Sequence, residues 1–563
     1  MNTEKKCTPI ERAWKRMPLL IFVTFFIAAN PIYSQKVAPG IEWQKCLGGT
    51  GNDYAACIIQ TSDGGFAIAA NTNSNDGNVS GFHGGSIGDG WVVKLDAYQS
   101  IEWQKCLGGS GNDGISSIIR TSDGGYAVAG GTTSNDGDVS GNHGGGDAWV
   151  VKLDSMGNIQ WQKCFGGTGD DVALSIVEAK DEGRGFVIAG RTNSINGDVQ
   201  GKHIGTGDSA YDAWVVRLTS SGTIVWQKCL GGTGHDEAWA VISADAGYVI
   251  AGNTQSNDGD VLGYHGGEDA WVVKLNSSGN IQWQKCLGGT RNENAHSIIK
   301  TFDGGYIVAG ETESNDGDVS GYHQNSKFLT NDAWIVKLNS TGNIEWQKCL
   351  GGSKGDLATA IIQTSDSDYV FTGSTSSNDG DVSGYHGGIG GQIWAVNLDP
   401  LGKLIWQKCL GGTYDDQGNF IIHTFDGGYI VAGLAQSIDG DVSGSHQDGN
   451  HYPDAWIIKL NNTDGVGSTI ENDNTDLIQK YFLRIYPNPA SNEVHLELKS
   501  ASLVKQVEFY DILGMQHFPI YLIENNIATV DVRNFSPGVY LTRVTWLHKG
   551  VTGTYSLPLI VQH

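Results

Sequence analysis

From residue 41 onward, apolar and polar positions alternate in short runs that recur in a fixed order of four. One complete set reads "ISSIIRT" (115–121), "GYAVAGGT" (125–132), "AWVVKL" (148–153) and "IQWQKC" (159–164). The runs are rich in β-branched and aromatic residues, and no segment of useful length has the 3.6-residue period of a helix. "SDGG" separates the first pair and "DSMGN" the last pair, with glycine supplying the positive φ of a tight turn. The pattern predicts four antiparallel strands per unit, A to D in chain order. In "IEWQKC" (41–46) strict alternation places Ile41, Trp43 and Lys45 on one face and Glu42, Gln44 and Cys46 on the other. The tryptophan is expected to lie between units.

The "WQKC" word occurs at Trp43, Trp103, Trp161, Trp226, Trp283, Trp346 and Trp406, spaced 60, 58, 65, 57, 63 and 60 residues apart. A second word, "AWVVKL" and its variants, occurs at Trp91, Trp149, Trp214, Trp271, Trp334, Trp394 and Trp456. The two words take 14 of the 17 tryptophans, so the aromatics serve the repeat. Seven four-stranded units predict an all-β chain whose main body is a seven-bladed β-propeller. A stacked solenoid needs capping repeats, and none is visible. Six blades are complete between Leu47 and Cys409, while the seventh supplies strands A to C over 421–460 and lacks strand D. The unpartnered copy at 41–46 is expected to fill that place and close the ring. Strand order and the strand-D tryptophan resemble quinoprotein-type propellers over residues 41–460; the resemblance implies fold only, since no quinone-binding constellation accompanies it.

Composition changes this picture at the ends. Residues 1–34 carry a basic front (Lys5, Lys6, Arg12, Lys15, Arg16) and then "PLLIFVTFFIAA", the pattern of a cleaved secretory signal. No later segment reaches membrane-spanning length, so the mature chain is expected to have no transmembrane segment. A formal net charge of −25 argues against nucleic-acid partners, which require basic patches. Seven of the nine cysteines hold one repeated position (Cys46, Cys106, Cys164, Cys229, Cys286, Cys349, Cys409), which reads as a small buried apolar side chain. Cys46–Cys57 is the one local disulfide left open.

Antiparallel order puts the D–A and B–C connections on one face, where any site should lie. The B–C loops repeat "SNDGDVSGxH", with Asp136 and Asp138, Asp258 and Asp260, Asp316 and Asp318, and Asp379 and Asp381 two residues apart in a glycine turn. Such oxygens read first as Asx turns that cap their own backbone, and they also suit Ca²⁺, the one cofactor the sequence suggests. Three longer loops break the symmetry, so Asp208, Tyr211, Asp332, His446 and His451 are candidate contacts for a glycan or protein ligand. Blade six also departs, with Gln392 where other blades have Asp. No Ser-His-Asp, zinc or phosphate-loop pattern is present, and no catalytic residue is assigned.

A polar stretch, 461–480, reads as a linker, and 481–563 as a small β-sandwich. Three words fall there in order: Tyr486-Pro487-Asn488-Pro489, a "DILG" ending at Gly514, and Ser536-Pro537-Gly538-Val539-Tyr540. They resemble the type A C-terminal sorting domain of the Bacteroidetes type IX secretion system. The resemblance implies that the type IX machinery is a partner and that the protein is secreted or attached to the outer cell surface. The domains expected are thus 1–34 signal, 35–460 propeller, 461–480 linker and 481–563 sorting domain. A monomeric, surface-displayed binding or adhesion propeller is the leading functional expectation. A polysaccharide hydrolase or lyase and a purely structural surface protein are the alternatives.

Overall fold

The computed structural model describes residues 36–461 apart from 85–87, 181–183, 206–209, 246, 324–329 and 448–450. Beyond 482 it describes 483–486, 493–498, 503–511, 516–517, 521–524, 527–536, 538–548 and 551–561. The signal segment 1–34, the linker beyond residue 461, and Asp208, Pro487, Asn488, Pro489, Gly514 and Pro537 lie outside the described residues.

Seven four-stranded antiparallel sheets follow one another around a ring, in the A–B–C–D order expected. Blade one is Asp53–Gln60, Phe66–Thr72, Asp89–Leu95 and Ile101–Leu107. Blade seven is Asp416–His423, Tyr429–Ala435, Asp454–Leu460 and, as its strand D, Ile41–Leu47. Strand A of each blade touches strand A of both neighbours all the way round, so these strands surround the axis.

Two tryptophan sets hold the ring in different ways. The strand-C indoles are fully buried, and each N–H donates to the glutamine of the following "WQKC", as Trp334 does to Gln347 at 2.8 Å. That glutamine amide then donates into the B–C loop, Gln347 to the Ser320 carbonyl at 3.0 Å. The strand-D tryptophans reach across to the first aromatic of strand B in the next blade, with centroids 5.8 to 6.2 Å apart in all seven pairs. The next blade's C–D turn covers the same ring. A side chain on Gly157, at φ +81, would begin 2.7 Å from Trp103. The "WQK" word is thus a seam, one residue facing forward and one back.

The alternation expected in Ile41–Leu47 holds from Trp43 onward. Pairing with Asp454–Leu460 shifts register between Ile41 and Trp43, which changes parity there. Ile41 therefore packs with the blade six and seven core, while Trp43 packs toward blade one. All eight described cysteines are buried and free. Cys46 lies in the blade six and seven cluster and Cys57 in that of blades one and two, so they do not pair.

In blades one, two, five and seven a buried lysine on strand C fixes the short turn on the opposite face. Lys94 lies 2.9 Å from Asp63 of the "SDGG" turn, and Lys152, Lys337 and Lys459 repeat the pair. Blade six has Asn397 at this position, and the cation comes instead from Lys36, 2.7 Å from Asp368 and also bonded to Asp366. Lys36→Ala should cost at most about 1 kcal/mol. Asn397→Lys in the same chain should recover it in a denaturant-melt double-mutant cycle. Additive effects would refute the exchange of one cation for the other.

The C-terminal part forms two four-stranded sheets. Val494, Leu496 and Val530 of one and Phe509, Val544 and Leu559 of the other share one buried cluster. Tyr486 ends the first strand, and Gly538 and Tyr540 open Gly538–His548. Tyr540 is buried and donates its hydroxyl to the Ser536 carbonyl at 2.9 Å.

Candidate functional site at the channel mouth

On the long-loop face the acids first meet a repeating seam. The strand-A acid takes three donors; Asp356 accepts the Gly352 N–H at 2.8 Å, the Ser377 hydroxyl at 2.8 Å and the Thr375 hydroxyl. The strand-C acid takes the B–C histidine; Asp332 accepts the His323 backbone N–H at 2.9 Å and lies 2.8 Å from its Nδ1. Asp454 receives the His446 backbone N–H at 2.7 Å in the same way. Asp332 and His446 therefore belong to a pair present in every blade, with Gln392 taking the acid's place in blade six.

The B–C loop acids go to two different partners. Asp136, Asp258, Asp316 and Asp379 accept the backbone N–H of Ser110, Thr233, Thr290 and Ser353 at 2.7 to 2.9 Å, capping the D–A loop. These backbone bonds hold their carboxyls below the ordinary range. Asp138, Asp260, Asp318 and Asp381 donate their own N–H to a glycine carbonyl at the end of strand D. Asp138, Asp318 and Asp381 also lie 3.7 to 4.0 Å from the preceding blade's histidine. No three His, Cys, Asp or Glu side chains gather as a metal site among the described residues. His451 stacks on Tyr414, centroids 4.0 Å apart, well away from Tyr211 in blade three.

The sevenfold order breaks at the inner strands instead. Each strand A has a bulge after its third residue. The bulged position holds Ala56, Ser116, Leu174, Trp239, His296, Thr359 and Asn419 in turn around the axis. Two residues earlier, paired with strand B, lie Tyr54–Asn71, Gly114–Gly131, Val172–Arg191, Glu237–Asn253, Asn294–Glu311, Leu357–Ser374 and Gln417–Leu434. Elsewhere these positions are small, apolar or used to join neighbouring strands, as Asn419 does by donating to the Ala55 carbonyl at 2.8 Å. The exceptions are Tyr54 in blade one and Gln417 in blade seven, whose amide donates to Asp415. Blades three to five put charge and aromatic rings there.

Arg191 forms an ion pair with Glu237, and its guanidinium lies 4.9 Å over the Tyr211 ring. His235 Nε2 is 3.0 Å from Glu237 and its ring meets Tyr211 edge-on at 5.2 Å. Next to them Trp239 donates to Asn253 at 2.7 Å, and Asn253 donates to Glu268. Trp239 also meets His296 edge-on at 5.6 Å, and His296 Nε2 lies 3.7 Å from Glu311. Asn294 and Asn331 donate to Glu311 as well.

Two neighbouring carboxyls are pushed in opposite directions. Burial acts to raise Glu237, but hydrogen bonds from His235 and Arg191 and their charge hold it below the ordinary range. Burial raises Glu268, and the charges of Glu237 and Glu311 add to that. The mouth thus offers an ionised carboxylate, a carboxyl that ionises late, a guanidinium, amides and a partly exposed indole. Hydroxyl-rich ligands are bound by groups of these kinds.

Of the residues expected from the sequence, Tyr211 alone falls within this constellation. The legible signal was Trp239, which is the one tryptophan of the propeller outside both repeated words.

Residues 484–553 match the family described as the secretion system C-terminal sorting domain. The chain is 24% identical over 373 residues to the Regulatory protein FlaEY of Caulobacter vibrioides, covering 60% of this chain and 37% of that protein's length. Among solved structures it is similar to the Neurospora crassa Pan2 WD40 domain, at 11% identity and TM-score 0.39, covering 74% of this chain and 95% of that one. Drosophila Semaphorin 2a aligns at 7% identity and TM-score 0.40, covering 94% and 98%. The sorting tail implies secretion through the type IX system and attachment at the cell surface. No helix among the described residues is long and apolar enough to cross a membrane.

Proposed function

We propose that this exported propeller is a surface-displayed binding protein that takes a glycan at the channel mouth over blades three to five. The observation that carries the reading is the confinement of Arg191, Glu237, Trp239, Asn253, His296 and Glu311 to one sector of an otherwise sevenfold ring. Residues with no part in the repeat, gathered where loops and inner strands converge, are what a single asymmetric ligand requires. An indole beside carboxylates and amides favours a sugar ring over an apolar ligand. A glycan array probed with the full chain tests this. Trp239→Ala should weaken the best hit at least about tenfold, the scale of one lost stacking contact. Retention of binding by that variant would refute the site.

The opposed settings of Glu237 and Glu268 favour a second reading, polysaccharide hydrolysis or lysis with Glu268 as acid and Glu237 as base. Release of new chain ends from a polysaccharide panel, abolished by Glu268→Gln while binding persists, would decide for it.

A further inference from the structure

The blade seams hold a second set of groups that glycan binding does not use. Asp89, Asp147, Asp212, Asp269, Asp332 and Asp454 are 0% exposed, and in each the Oδ1 oxygen has no hydrogen-bond partner. Oδ2 carries the histidine bonds, so only one half of each carboxylate is satisfied. The free half is aimed at the D–A loop of the same seam. Asp454 Oδ1 lies 2.9 Å, and Asp89 Oδ1 3.1 Å, from where a side chain on Gly48 or Gly108 would begin.

Blade six shows what this position accommodates. There Gln392 replaces the aspartate, keeps the histidine on its Oε1 and donates its Nε2 hydrogen to the Gly412 carbonyl at 2.8 Å. The partner is a carbonyl, so the position calls for a donor, which a carboxylate provides only when protonated. We propose that the six strand-C aspartates each take up a proton on mild acidification and donate it to the glycine carbonyl of the adjoining D–A loop, as Gln392 does at every pH. The seams thereby tighten as the surroundings become acidic.

The groups facing one such carboxyl can be named for Asp332. His323 covers Oδ2, Asp356 of the next blade's strand A approaches from across the seam, and the Cys349 thiol lies on the paired strand D. Asp381 sits behind His323, 3.8 Å from its Nε2. Burial, with Asp356 adding, pushes Asp332 up to about 6, and burial with Glu293 does the same for Asp269. The other four are also raised, burial being the largest cause. A carboxyl raised above its unfolded value adds stability that is complete below the unfolded value near 4 and lost as pH climbs through the folded one. For Asp332 and Asp269 the window therefore runs from about pH 4 to about pH 6, with stability falling as pH rises.

Two single substitutions in the full chain test this by denaturant unfolding at pH 5 and 7.5. Asp332→Asn should leave the protein at least as stable at pH 7.5 and remove one proton from the pH dependence. Per site, that dependence is about tenfold in the folding constant per pH unit within the window. Gln392→Glu should add one proton, matching the parent at pH 5 and falling below it at pH 7.5. If Asp332→Asn does not fold, Gln392→Glu still decides the matter. Unchanged slopes in the variants that fold would overturn the proposal. So would a melt at pH 7.5 that excess chelator lowers, since the free oxygens would then be holding a cation.

Discussion

Deleting Ile41–Leu47 is expected to abolish the cooperative unfolding transition of the propeller. The segment is strand D of blade seven, and its loss bares the strand Asp454–Leu460 along its whole length. It also removes Leu47, which is 0% exposed, together with the Trp43–Phe66 contact and the Gln44 acceptor for the buried Trp456 indole. Burial of Ile41, Trp43, Cys46 and Leu47 contributes on the order of 6–10 kcal/mol, comparable with the 5–15 kcal/mol that holds a typical domain together. Differential scanning calorimetry should show a broad, low-enthalpy melt. Moving the same seven residues behind Leu460 through an "SSGN" turn should restore the transition, because blade seven would then be built like the other six. A deletion variant that melts with the parent would show that the ring does not depend on this strand.

The second large effect is expected at a strand-C tryptophan. Trp334→Ala removes a side chain that is 1% exposed and empties a space between two blades, which should cost about 3–5 kcal/mol in denaturant melts. It also strands Gln347, which links the indole to the Ser320 carbonyl. Trp334→Phe keeps most of the volume and loses only the N–H, so it should cost about 1 kcal/mol. Near-equal costs for the two variants would mean that the hydrogen bond, rather than the filled space, dominates.

Much of this architecture was legible because repetition makes each signal count seven times. A single "IQWQKC" is a weak strand indication, but seven copies at near-equal spacing leave few folds open. The lone copy at Ile41–Leu47 then had only one place to go. The division of labour between the tryptophans was less visible: alternation shows that they face different ways, but not that Gln347 or Gln44 bonds an indole. Alternation also misled at Ile41, because a bulge changes parity without a sequence mark. At the channel mouth the repeat worked against the reading. The loop acids Asp136 to Asp381 drew notice by recurring, and for Asp136, Asp258, Asp316 and Asp379 the recurrence goes with capping the D–A loop. Glu237, Trp239 and His296 occur once each and fell within strands that looked interchangeable with their neighbours. In a repeat protein the residues with a separate task are the exceptions to the consensus.

The contact between Gln44 and Trp456 joins residues 412 positions apart. Each complete blade is built from neighbouring strands and can form locally, whereas blade seven must wait for the ends of the propeller to meet. Such long-range closure makes folding slow relative to the formation of individual hairpins. Until then Ile41–Leu47 is an unpaired strand rich in apolar side chains, open to the edge of another molecule. Native-state hydrogen exchange should find Asp454–Leu460 among the first strands to lose protection, and refolding yield should fall with protein concentration as the unclosed ends find partners in trans.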